Sequence, residues 1–325
     1  MSAPAGALRI GTRSSALALW QARHVETRLR AQSGAPPVEL VRIRTSGDTQ
    51  REVPLWQVGG RAFFTREIDQ ALAAGAVDAA VHSLKDLPTA LAPGLTLAAT
   101  LEREDPRDAL ISRGGEPLLG LPRGARIGTS SLRRRAFIAR LRPDAVPLEL
   151  RGNVPTRLER LRHGDYDAIV LAAAGLARLG LAQHVTEYLP PRDFPPAVSQ
   201  GVIGVCAREG DEATLRWLRG LDDAAAHLAS GAERALLARL EGGCQVPLGA
   251  LATLRGDTLH LEAAVCALDG SRRLEARGSA SASGSARLAL ADAVALGERL
   301  ADELLAGGAA GLIAQQRETL AVSAP

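Results

Sequence analysis

His82-Ser83-Leu84-Lys85-Asp86-Leu87-Pro88 sets an ammonium beside a carboxylate directly after the apolar run Val77 to Val81. Such a pair at a strand end can accept hydrogen bonds from N–H groups, hold a developing cation or shuttle a proton. A surface ion pair is the plainer alternative. Lys85 is nevertheless singular: of 39 basic residues, 38 are Arg, so individual arginines carry little information and the retained lysine stands out.

A second kind of chemistry is written in three strand-to-helix junctions. Arg9-Ile10-Gly11-Thr12-Arg13-Ser14-Ser15 brings backbone N–H groups, hydroxyls and Arg13 to a helix start, an anion-binding arrangement. Gly128-Thr129-Ser130-Ser131-Leu132-Arg133-Arg134-Arg135 repeats it with arginines in the first turns, where cations oppose the helix dipole and call for an anion nearby. Arg151-Gly152-Asn153-Val154-Pro155-Thr156-Arg157 adds another basic rim, with Pro155 suited to a first turn. Ser15 and Ser131 serve equally well as N-caps, with the arginines a solvated face. No GxxxxGK[ST], no GxGxxG after a strand and no HExxH occurs, which argues against nucleotides and metalloprotease chemistry and leaves a carboxylate or a phosphate as the anion.

The third candidate is a thiol. Ser230-Gly231-Ala232-Glu233 reads as a capping box opening a helix from Arg234 to Leu240, and Glu241-Gly242-Gly243 ends it, leaving Cys244 in a tight loop. Glycine neighbours uncover this sulfur as an attachment point would require; an inert loop thiol fits the pattern as well. Cys206 and Cys266 lie in apolar strands as small buried hydrophobes. Phe63 and Phe64 follow Gly59-Gly60-Arg61-Ala62 and suit stacking on a flat ring, with ordinary core packing the plainer use of at least Phe63.

Positioning these groups requires a repeated scaffold. Arg9-Ile10-Gly11-Thr12 and Arg126-Ile127-Gly128-Thr129 are 117 residues apart, and both copies continue alike through Gly75-Ala76-Val77-Asp78-Ala79 and Gly164-Asp165-Tyr166-Asp167-Ala168. Each half reads β-loop-α-β-loop-α-β, predicting two mainly parallel sheets covered by helices, with ligands at the strands' carboxyl ends in a cleft between the halves. Only the first copy carries an insert, around Thr45 to Arg61, a lid candidate. The Pro-rich run from Leu189 to Pro196 closes the second half. Beyond it, strands at 246–254, 258–268 and 271–279 and a helical stretch to about Leu305 predict a small α/β domain with a three-stranded antiparallel sheet.

Composition bounds the rest. A chain of 325 residues with 46% hydrophobic and 23% charged residues is a folded protein of two or three domains rather than a disordered one. The N-terminus has no signal-peptide pattern and no run is long enough to span a membrane, so the cytoplasm is expected. No cysteine pairing suggests a structural metal or a disulfide framework. A net charge of +3 with 3% aromatics does not suggest nucleic-acid binding.

In order and spacing, GTRSSALALWQA, HSLKDLP, EREDPRDA, GTSSLRR, LRGNVPTR, YDAIVLAAAGLARLG, LPP and EGGCQVP resemble the porphobilinogen deaminase (hydroxymethylbilane synthase) family, from about Leu8 to Cys244. The resemblance implies three domains, the first two like periplasmic binding proteins: residues 1–101 with 202–220, residues 102–201, and residues 221–325. It implies a transferase of tetrapyrrole and haem biosynthesis that condenses four porphobilinogen molecules head to tail and releases the linear product by hydrolysis. It further implies a dipyrromethane primer joined to Cys244 by a thioether, substrate losing ammonia to an electrophilic azafulvene, and Asp86 as the catalytic group among the pyrrole N–H groups.

By motif position Arg13, Ser15, Ser83, Lys85, Thr129, Ser130, Ser131, Arg133, Arg134, Arg151, Gly152, Arg157 and Arg178 would bind primer and substrate carboxylates, with Gln200 and Phe64 lining the site. The family often has glycine where this chain has Pro155 and Ser199, and Lys-Gly-Leu-Phe in place of Arg61-Ala62-Phe63-Phe64. A monomer acting on a small molecule is expected, with no metal, membrane or nucleic acid. Two rival readings are a carboxylate receptor without catalysis and thiol acyl transfer by Cys244 with His82.

Overall fold

The computed structural model describes residues 6–49, 65–240, 246–281 and 288–322. In chain order the first elements are β1 (Leu8–Arg13), α1 (Ala16–Arg30), β2 (Val38–Ile43), α2 (Ser46–Thr49), α3 (Arg66–Ala73), β3 (Ala79–Ser83) and β4 (Leu95–Thr100). They are followed by β5 (Asp108–Ser112), β6 (Arg126–Gly128), α4 (Leu132–Leu141), β7 (Val146–Leu148), α5 (Val154–Arg162), β8 (Ala168–Ala172), α6 (Ala173–Arg178) and β9 (Glu187–Leu189). The remainder is β10 (Ile203–Arg208), α7 (Glu212–Arg219), α8 (Ala224–Arg239), β11 (Leu248–Arg255), β12 (Thr258–Cys266), β13 (Arg273–Ser281), α9 (Leu290–Ala306) and α10 (Ala309–Val322). The chain forms two compact units. The first takes the described residues up to Glu104 plus Val202–His227; the second takes Asp105–Gly201 and the described residues from Leu228 onward.

In the first unit the sheet order is β2-β1-β3-β10-β4. β1 pairs parallel with β2 and β3, whereas β10 runs antiparallel to both β3 and β4, so the expected parallel sheet is mixed on one side. Alternation sorts side chains onto two covered faces. Ala79 and Val81 of β3 and Val205 of β10 pack with Val25 and Leu29 of α1 and Leu218 of α7. Ala80 and Cys206 point the other way, to Ile68 and Leu72 of α3.

The second unit repeats the plan as β7-β6-β8-β5-β9, again with two parallel pairs and an antiparallel strand, β5, on β8 and β9. The repeat extends to atoms. Arg9 donates to Asp78 through its backbone N (2.9 Å) and its guanidinium (2.7 Å), and Nη2 also reaches the Gly75 carbonyl (2.8 Å). Arg126 makes the same bonds to Asp167 (2.9 and 3.1 Å) and the Gly164 carbonyl (2.9 Å). Gly75 and Gly164 end α3 and α5 at φ of 72° and 83°, a turn that glycine takes without a Cβ clash.

β11, β12 and β13 form the expected three-stranded antiparallel sheet, covered by α9 and α10; α10 extends the helical part past Leu305. One further feature differs from the sequence reading. The helix before Cys244 starts at Ala224, not at Arg234, because Asp223 Oδ1 accepts from Ala226 N (2.8 Å) and caps it there. Ser230 and Glu233 are therefore mid-helix, and no capping box forms. Of the lid candidate, residues up to Thr49 are described: Ser46 N and Oγ both donate to Glu67 Oε1. Residues 50–61, with Arg61, lie outside the described residues, as do Phe63, Phe64 and Cys244.

Candidate active site

In the first unit the Lys85-Asp86 pair rides on a single 3-10 turn, Leu84–Asp86, that leaves the end of β3. Its flanks anchor it. Leu84 and Leu87 are buried in the α3 core, Leu84 N donates to the Val202 carbonyl (3.0 Å) and Leu87 N to the Leu84 carbonyl (3.1 Å). Lys85 and Asp86 are thereby left half-buried. Ser83, just before the turn, exchanges hydrogen bonds with the buried Gln21 of α1, whose Nε2 donates to Ser83 Oγ at 2.9 Å. Ser15 Oγ caps α1 by accepting from Ala18 N (3.3 Å), and Arg13 is half-buried at the end of β1.

Behind this turn stands a buried imidazole. His82 is 5% exposed, and burial, followed by the charge of Arg13, pushes its pKa down to about 4, so it is neutral at physiological pH. Asp69 approaches His82 Nε2 at 4.0 Å, and burial raises its pKa. Asp69 has no role in the sequence reading, and His82, part of the HSLKDLP string, figures there only in the rival acyl-transfer reading with Cys244, which lies outside the described residues.

The second unit answers the call for an anion from within. Arg133 and Arg134 leave the first turn of α4 inward, with side chains 4% and 8% exposed, and both reach the fully buried Asp108 at the start of β5. Arg133 Nη1 donates to Asp108 Oδ2 (2.7 Å) and the Pro195 carbonyl (2.7 Å); Arg134 Nη2 donates to Asp108 Oδ1 (2.7 Å) and Nη1 to the Val170 carbonyl (2.8 Å). Burial alone would raise the Asp108 pKa, but the two guanidiniums overcome it and hold the carboxyl well below its usual range. Gln200 completes the cluster, with Nε2 donating to Asp108 Oδ1 (3.0 Å) and the Pro106 carbonyl (2.8 Å). Arg178, also buried, donates to the Gly201 carbonyl (2.6 Å).

The hydroxyls of this junction serve the backbone: Ser131 Oγ accepts from Arg134 N (3.4 Å), Thr129 Oγ1 accepts from Ser131 N (3.2 Å) and Ser130 Oγ donates to the Leu150 carbonyl (2.5 Å). Arg151 and Arg157 are half-buried, and burial lowers the Arg151 pKa. Arg157 Nε holds the Gly152 carbonyl (2.7 Å). Gly152 has φ of 109°, and a Cβ there would press on Thr156 at 3.0 Å, so glycine is required by conformation and space.

Asp108 is the member of this cluster that sequence reasoning passed over, though EREDPRDA was quoted for the resemblance. The only local signal was three arginines at a helix start without an acid beside them. Among the described residues no His, Cys, Asp and Glu cluster suits a metal ion, and no helix is long and apolar enough to cross a membrane.

Comparison with known proteins adds an independent line. Residues 8–216 match the family model "Porphobilinogen deaminase, dipyromethane cofactor binding domain", and residues 227–306 match "Porphobilinogen deaminase, C-terminal domain". The porphobilinogen deaminase of Roseiflexus castenholzii is 52% identical over 307 residues, covering 94% of this chain and 98% of its own. That of Syntrophotalea carbinolica is 48% identical over 308 residues, 95% of each chain. Among solved structures, the periplasmic aliphatic sulphonate binding protein SsuA from Escherichia coli aligns at 15% identity and TM-score 0.38, covering 74% of this chain and 71% of its own.

Proposed function

The chain belongs to the porphobilinogen deaminase family, transferases that build the linear tetrapyrrole hydroxymethylbilane on a dipyrromethane cofactor, and we propose that in this member Asp86 is the catalytic residue. The observation that carries this reading is the turn pinned by Leu84 and Leu87, which offers a carboxylate and the one side-chain ammonium together at the carboxyl end of β3. Asp86 accepts hydrogen bonds from pyrrole N–H groups, stabilises the positive charge left as ammonia departs from the aminomethyl arm, and takes up the proton released when the new carbon–carbon bond forms. Lys85, Ser83, Arg13 and Ser15 hold the acetate and propionate groups beside it. Thr129, Ser130, Ser131, Arg151, Gly152, Arg157 and Arg178 hold others, while Arg133, Arg134 and Gln200 form the basic floor set on Asp108; Phe64 lines the site.

A dipyrromethane is an anion with two carboxylates on each ring, and the donor set suits it. Arg133 Nε is buried without a hydrogen-bond partner, a donor left over after Asp108 and Pro195 are served, and Arg151 is a partly desolvated guanidinium. The cofactor supplies a free pyrrole α-carbon as nucleophile, attached through Cys244. On this reading the chain has three domains, residues 1–101 with 202–220, 102–201 and 221–325, and works as a monomer in the cytoplasm without metal. Intact-mass measurement tests it: purified protein should carry a two-pyrrole adduct that persists in Cys206→Ser and vanishes in Cys244→Ser. An unmodified wild type that still turns over porphobilinogen would falsify the attachment.

A further inference from the structure

The copy of the repeat in the second unit ends at a strained corner. Ser199 has φ of 60° and is the one non-glycine residue in the left-handed region among the described residues. It is fully buried, and its Oγ has no hydrogen-bond partner, so the side chain itself gives nothing in return for the conformation. A residue with a Cβ stays in that region only when its surroundings impose it. Ser199 is the third residue of a turn that Gln200 N closes on the Ala197 carbonyl (2.9 Å), and the turn is held from outside by Glu233, in the middle of α8 and 0% exposed. Its Oε2 accepts from Ser199 N at 2.6 Å and its Oε1 accepts from Ala252 N of β11 at 2.7 Å. Ala250 N, one pleat earlier, donates to the Pro196 carbonyl (2.9 Å), so the corner is tied to the C-terminal sheet at two points.

The corner leads straight into the basic cluster. Gln200 follows Ser199, and its side chain reaches Asp108, the shared acceptor of Arg133 and Arg134. We infer that Glu233 is a positioning residue for the carboxylate-binding surface: by fixing Ser199 in the left-handed conformation it aims Gln200 at Asp108 and so sets the arginine pair. One buried carboxylate thus links the C-terminal sheet to the corner from which Gln200 reaches the arginine floor. This inference rests on reading Gln200 with the arginine pair as part of the substrate surface.

Glu233→Gln keeps the shape but cannot accept from both amides at once. Measured on the fraction that carries primer by mass, it should raise KM for porphobilinogen about tenfold with kcat little changed. Adding Ser199→Gly, which lets the corner adopt its conformation without a clamp, should return KM to within about twofold of wild type while the melting temperature stays lowered. A KM that stays high in the double variant, or a Glu233→Gln protein that melts earlier with KM unmoved, overturns the inference. Should Glu233→Gln not fold, Ser199→Thr tests it with Glu233 in place, since a β-branched residue opposes the same backbone: KM must rise, and an unchanged KM overturns it. Gln200→Leu separates the two readings. If it leaves KM unchanged, the reading of Gln200 fails and the inference with it; if it raises KM while Glu233→Gln does not, the inference fails alone.

Discussion

The two copies of the repeat are alike at one end of their strands and unlike at the other. At the amino ends of β1 and β6, Arg9 with Asp78 and Arg126 with Asp167 make the same set of bonds, each closing over the carbonyl of a helix-ending glycine. At the carboxyl ends the copies part. After β3 the chain makes a 3-10 turn that turns Lys85 and Asp86 outward; after β8 the corresponding segment is the buried helix α6, Ala-Ala-Gly-Leu-Ala-Arg, with no acid in it. The first copy leaves its carboxylate half-buried on the turn, whereas the second pairs Asp108 with its own arginines. A duplicated frame thus fixes geometry far from the chemistry and leaves each strand end open to its own charge arrangement.

That contrast can be broken most forcefully with the two aspartates. Asp86→Asn should lower kcat by about 10²- to 10⁴-fold with the melting temperature unchanged. Asp108→Asn should instead cost about 3–5 kcal/mol of stability by leaving buried guanidiniums without their counter-charge, read as an earlier thermal or urea transition. Comparable stability losses in both would erase the distinction.

A smaller effect belongs to the first unit alone. The unfolded His82 imidazole binds its proton below about pH 6.5 and the folded one only near pH 4, so between those values the unfolded state holds the extra proton and stability falls as pH is lowered. The loss from this group approaches about 3 kcal/mol at the acid end of that window. Urea titrations at neutral and acid pH should show a steeper decline in wild type than in His82→Gln; equal slopes would mean that the imidazole is not held neutral. The smallest effect probes what the copies share. Asp78→Asn and Asp167→Asn should each lower the melting temperature slightly and by similar amounts, since both straps are partly exposed to water. A large asymmetry between them would show that equal bonding conceals unequal burial.

Much of this was legible in the sequence because it is local or repeated. The strands and the Gly75 and Gly164 stops follow from period and turn chemistry, and the HSLKDLP string carries its own buried flanks in Leu84 and Leu87. What escaped reading depends on partners far along the chain. Asp108 lies 25 residues before Arg133, and nothing in the spacing of either reveals that they meet. Glu233 shows the converse error: Ser-x-x-Glu matched a capping box, but Asp223 had already started the helix, and amides at Ser199 and Ala252 claimed the carboxylate. The antiparallel placement of β5 and β10 escaped for the same reason, since both strands look like any apolar run and only the sheet decides their direction.

The exchange of nearly every lysine for arginine has a chemical corollary at the turn after β3. Apart from the terminal α-amine, Lys85 Nζ is the one primary amine of the protein, and it stands half-buried beside Asp86. Acylating and reductive-alkylating reagents, which pass over guanidinium groups, therefore find a single side chain to address, and it is the neighbour of the proposed catalytic carboxylate. A composition bias that blurs the meaning of every arginine has made this one position selectively labelable.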